Sequence, residues 1–103
     1  MKDCQYELLG RTIIVQYMPR VEVDDHWVFG MCKHDGDITN ICISTESDDG
    51  KKMSKDSMQR TLRHELYHVI CDIGQYFHTS EDEPLIEWLA ICTDLLNKQG
   101  AKI

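Results

Sequence analysis

The sequence predicts one α+β domain over residues 1–103, a small antiparallel sheet of about three strands followed by two helices. Three observations lead there. Up to Ser44 the chain runs in short stretches rich in β-branched and aromatic residues. An Asp35-Gly36 pair between two such stretches supplies the positive φ angles that a hairpin turn needs. Beyond about Asp56 the apolar period lengthens from about 2 to about 3.6 residues.

Taken in order, Arg11 to Met18 forms the first strand and Pro19 ends it. Glu22 to Asp25 is polar and turn-like. Trp27 to Lys33 is the second strand, and His34 to Asp37 the turn. Ile38 to Ser44 returns, with Ile41 and Ile43 on one face and Asn40 and Cys42 on the other. Glu46 to Lys55 is a loop. In the first helix, from about Asp56 to Ile73, residues Met58, Leu62, Leu66, Val69, Ile70 and Ile73 recur at helical spacing. Ser54 or Ser57 caps its start and Gly74 stops it. Gln75 to Thr79 connects. Ser80 and Glu83 read as a capping box, with Pro84 in the first turn. The second helix runs to about Lys98, with Leu85, Trp88, Leu89, Cys92, Leu95 and Leu96 as its apolar face. Trp27 and Trp88 read as core anchors.

Composition narrows the partners. The 42% hydrophobic content is that of a folded domain. A net charge of −7 argues against nucleic acid, because phosphate binding needs a basic face. No apolar stretch approaches the ~20 residues of a membrane span. The first ten residues lack the basic start and apolar run of a secretory leader. Five cysteines without a Cys-x-x-Cys pair fit thiols in a reducing cytoplasm.

Chemistry concentrates in His64-Glu65-Leu66-Tyr67-His68, inside the first predicted helix. Residues four apart advance by about 40° around the axis and rise about 6 Å, so both imidazoles leave the same face. Their ring nitrogens can then reach one ion at ~2.0–2.1 Å. Glu65 sits beside that ion, where it can take a proton from an activated water and pass it to a leaving amine. This is the H-E-x-x-H arrangement of zinc peptidases. Catalytic zinc has three protein ligands and one open position. Glu87 is the candidate third ligand: it lies among Ile86, Trp88 and Leu89, where a carboxylate without a cation is costly. On the same helix, Glu83 is assigned to the cap, and Asp94 is placed to orient a ligand from behind. Cys71 is read as packing behind the metal, since a thiolate would close the open position. Cys32 and His34 form a weak candidate pair for a second ion.

The motif followed by a downstream helical Glu resembles the gluzincin metallopeptidases. The compact size resembles the minigluzincins. The Ile41-Cys42-Ile43 strand, the loop and Thr61-Leu62-Arg63-His64-Glu65-Leu66-Tyr67-His68 resemble small phage and bacterial peptidases of the ImmA/IrrE kind. The resemblance implies a minimal zincin-like fold and one zinc ion on His64, His68 and Glu87, with Glu65 as general base. The activity it implies is hydrolysis of peptide or protein substrates. It also implies a substrate laid as an added strand along the sheet edge, at Ile38 to Ser44. An oxyanion donor is expected too, with His34, Tyr76 and His78 as the nearby loop residues. The longer metzincin motif is absent, since Cys71 and Gly74 stand where it needs Gly and His. The competing function is a zinc-stabilised binding module without turnover, such as a phage accessory protein that binds a host factor.

Overall fold

Alternating side chains build six strands in the computed structural model, which describes residues 1–103. Strands β1 (Cys4–Leu8), β2 (Arg11–Met18), β5 (Gly30–Asp35) and β6 (Ile38–Ser44) form one sheet in the order β1-β2-β6-β5. Strands β3 (Val21–Val23) and β4 (His26–Val28) form a separate ribbon. In the larger sheet β1–β2 and β5–β6 are antiparallel, whereas β2 and β6 are parallel. Three helices follow: α1 (Lys55–Ile73), α2 (Phe77–Glu81) and α3 (Glu83–Lys98).

The molecule is α+β, but the expected antiparallel sheet of about three strands with two helices is incorrect. The sheet is mixed, there are six strands, and there are three helices. β1 escapes the apolar pattern because Gln5, Tyr6 and Glu7 on this edge strand face water. The polar stretch around Asp24-Asp25 is the tip of a hairpin. Both residues have positive φ, 52° and 65°, which suits a tight turn between twisted strands. The run from Trp27 to Lys33 breaks at Phe29, where the chain leaves the ribbon and enters the sheet. Strand direction has no signature in a period-two pattern, so the parallel β2–β6 pair was not legible. The β5–β6 hairpin does form as its turn residues dictate, with Gly36 at φ 59°.

Helix α1 starts where its cap predicts, with Ser54 Oγ accepting from the Ser57 amide at 3.1 Å. The Ser80–Glu83 capping box does not form. Asp82 is the cap of α3 and accepts from the Leu85 amide at 3.2 Å, while Ser80 is buried within α2. Glu83 is therefore free for other work.

One face of the sheet carries Ile13, Val15, Ile41 and Ile43, which pack with Val69 of α1 into a core no more than 2% exposed. Helix α3 lies on α1 and not on the sheet. Its inward residues are Ile86, Ala90 and Asp94. The apolar face expected to be buried is turned outward, with Leu85, Trp88, Leu95 and Leu96 exposed. Polar groups on α1 explain the choice. Arg63 Nη1 donates to Asp94 Oδ1 at 2.9 Å, and Tyr67 hydrogen-bonds Thr93, so α3 turns the side that carries Ile86, Ala90 and Asp94 towards α1. Trp88 is not a core anchor, whereas Trp27 is half-buried and donates to the Glu46 carbonyl at 2.9 Å. No helix is long and apolar enough to cross a membrane.

Candidate metal centre

Helical spacing brings His64 and His68 to one face of α1, with their Nε2 atoms 3.2 Å apart. The first turn of α3 brings Glu83 to the same point. Its Oε2 lies 3.0 Å from His64 Nε2, and its Oε1 lies 3.1 Å from His68 Nε2. Tetrahedral ligands at ~2.0–2.1 Å from a zinc ion stand about 3.3 Å from one another. The two nitrogens stand close to that separation and each faces one oxygen of the same carboxylate, so the donor set is compatible with a small divalent cation. His64, His68 and Glu83 are the only His, Cys, Asp or Glu group of three or more that converges in this way, and they could hold a metal ion.

The far sides of both rings are also engaged. His64 Nδ1 lies 2.7 Å from Glu87 Oε2, and His68 Nδ1 lies 3.2 Å from Ser80 Oγ. The tautomer that donates Nδ1–H to these oxygens leaves both Nε2 lone pairs free for an ion. Glu87, the carboxylate that the sequence pointed to, thus stands behind His64, one helical turn beyond Glu83. The sequence marks Ser80 as a helix cap; its place behind His68 comes from the packing of α2, which no local pattern shows.

Glu65 is buried beside the two histidines. Burial pushes its carboxyl above the ordinary 4.5, and the charges of His64 and His68 pull it partly back. A base poised upward in this way holds an accepted proton more readily. Strand β5 passes close to it. A Cβ on Gly30 would meet Thr61 Cγ2 at 2.7 Å and the Cys42 carbonyl at 3.0 Å, so only glycine permits this approach. Cys32 lies two residues further along the strand, on the same face. Burial and the Glu65 charge push its thiol up to about 12, so it stays neutral beside the base.

These residues line a cleft of about 820 Å³ between α1, α3 and the β4–β5 segment. Trp27, Phe29 and Gly30 form one wall, and His64, Glu65, His68 and Glu83 the other. Arg60 also lines it, one turn before His64, and no motif points to it. No family model, curated protein or solved structure matches the chain.

Other candidates lie elsewhere. His34, Tyr76 and His78 do not line the cleft, and neither does Cys71. His34 is tied to Thr39 at 2.7 Å and to Asp72 at 2.9 Å, which separates it from any shared ion with Cys32. Asp94 orients no ligand. Burial alone would raise its carboxyl, but Lys98, Arg60 and Arg63 outweigh burial and hold it below the ordinary 3.8. The expected substrate strand, Ile38 to Ser44, is interior to the sheet, and the edge beside the cleft is β5.

Proposed function

We propose that this chain is a zinc-dependent peptidase of the gluzincin kind in its motif, with Glu83 in place of Glu87 as the carboxylate ligand. One observation carries the reading: two imidazole nitrogens and the Glu83 carboxylate converge beside a buried glutamate, in an open cleft. Two imidazoles and one carboxylate suit zinc, and a three-ligand set leaves a position for catalysis. When bound, the ion supplies a Lewis acid and lowers the pKa of a water to about 7.

The protein's own groups do the rest. His64 and His68 would hold the ion through Nε2 and Glu83 through its carboxylate, with Glu87 and Ser80 fixing the rings from behind. Glu65 accepts a proton from the attacking water at its carboxylate and passes it to the leaving amine nitrogen. Gly30 lets β5 pass close beside Glu65, which narrows the cleft on that side.

The substrate would lie along β5. Ser44 donates to the Phe29 carbonyl at 2.9 Å, which sets the phase of the β5–β6 ladder. The backbone groups of Gly30, Cys32 and His34 therefore point away from β6, and a peptide can add to them as a further strand. Five free thiols support a reducing, cytoplasmic setting.

The test is hydrolysis of a mixed peptide pool by the zinc-loaded protein and by Glu65→Gln, with zinc content measured in both. The proposal predicts cleavage that falls roughly 10²–10⁴-fold in Glu65→Gln while the zinc remains. No cleavage by the zinc-loaded parent would leave the binding-module reading.

A further inference from the structure

Helix α3 shows solvent a broad apolar face without charge. Trp88 is 62% exposed, Leu95 50%, Leu96 47% and Leu85 38%. The charged residues of α3 all point the other way. Glu83 and Glu87 meet the histidines, Asp94 meets Arg60 and Arg63, and Lys98 meets Asp56. Positions 85, 88, 92 and 95 follow the alternating three-and-four spacing by which one helix packs on another.

We propose that this face pairs with the same face of a second copy, as two antiparallel α3 helices about a two-fold axis at Cys92. The inference stands apart from the metal centre. The centre of the stripe is symmetric about the half-buried Cys92: Trp88 and Leu96 lie four residues to either side, and the half-buried Leu89 and the exposed Leu95 three, while Leu85 lies at the rim, opposite Gln99. Antiparallel pairing therefore sets Trp88 against Leu96 of the second copy and Leu89 against Leu95, with a small side chain at the axis. A surface that complements itself in this way is what an isologous dimer requires.

Area permits the pairing, and charge opposes it least here. Each chain carries −7, so two copies repel, and that repulsion is least across a face with no charges. The exposed parts of Leu85, Trp88, Leu95 and Leu96 offer roughly 400 Å² per copy. Pairing would hide at most about 800 Å² of apolar surface. At the ~65% apolar share of homodimer interfaces, the total is at most about 1,200 Å², the lower end of specific interfaces. That size suits a reversible dimer. A membrane surface is a poorer occupant, since interfacial helices flank their apolar face with Lys and Arg. The one basic residue of α3, Lys98, is paired with Asp56 and Asp94.

The test is sedimentation of the whole chain from about 1 to about 300 µM, with Trp88→Glu and Leu95→Glu alongside. We expect the parent's mass to rise from 12.0 kDa towards twice that value. Each variant should weaken the dimer at least ~10-fold while keeping the parent's circular dichroism. A short bis-maleimide should join Cys92 to Cys92 in the unaltered parent, a readout that does not depend on either variant folding. A parent that stays monomeric throughout would overturn the proposal. So would a dimer indifferent to both substitutions, or one joined only through other cysteines.

Discussion

Glu83→Ala and Glu87→Ala should have unequal effects on metal affinity, although α3 places the two carboxylates one turn apart. Glu83 faces both Nε2 atoms, at 3.0 and 3.1 Å, whereas Glu87 meets His64 only at Nδ1. Four-ligand structural zinc sites bind with roughly 10–16 kcal/mol, or about 2.5–4 kcal/mol per ligand. Loss of Glu83 should therefore weaken zinc binding roughly 10²–10³-fold. Loss of a residue that only orients a histidine costs about 10–100-fold. The effect of Glu87→Ala should sit near the lower figure, because its side chain is 44% exposed and water can replace it. Competitive titration against a chromophoric chelator at pH 7 would give both constants. A larger loss in Glu87→Ala than in Glu83→Ala would refute the ligand assignment and return Glu87 to the metal.

Three further outcomes follow from the same geometry. Gly30→Ala puts a Cβ 2.7 Å from Thr61 Cγ2 and 3.0 Å from the Cys42 carbonyl, so it should destabilise the fold by about 1–3 kcal/mol in chemical denaturation and reduce turnover. In the metal-free protein the Glu65 pKa lies above 4.5, so its contribution to stability is fully present below pH 4.5 and lost as pH rises through the folded value. Glu65→Gln should thus raise the metal-free Tm at pH 7 and leave it near the parent's at pH 4. Asp94 has the opposite sign: its folded pKa lies below 3.8, so its contribution is present above that value and lost as pH falls through the folded one. Asp94→Asn should cost roughly 2–3 kcal/mol at pH 7, less than for a fully buried pair because Arg60 and Lys98 reach water, and the difference should shrink in acid.

What was legible followed from local chemistry. The motif helix announced itself through Leu62, Leu66 and Val69 and through the Ser54 cap, all of which depend on nearby residues. The Asp35-Gly36 hairpin was equally local. The parallel β2–β6 pair was not legible, because it joins segments on either side of a whole ribbon. The orientation of α3 also misled, since apolar spacing shows that a face seeks cover but not which partner covers it. Here Arg63, Tyr67 and His64 claim the polar side, and the apolar side is left facing out. Glu83 was assigned to a cap that Asp82 fills, which hid the carboxylate that faces both histidines. Glu83 and Glu87 differ by only about 40° around the axis, so the helical pattern alone does not separate their roles.

The most direct measurement is zinc content after chelator dialysis and reconstitution, in the parent and in His64→Ala. The account predicts one tightly held zinc per parent chain and none retained in the variant. A parent that keeps no zinc, or a variant that keeps its zinc unchanged, would contradict it.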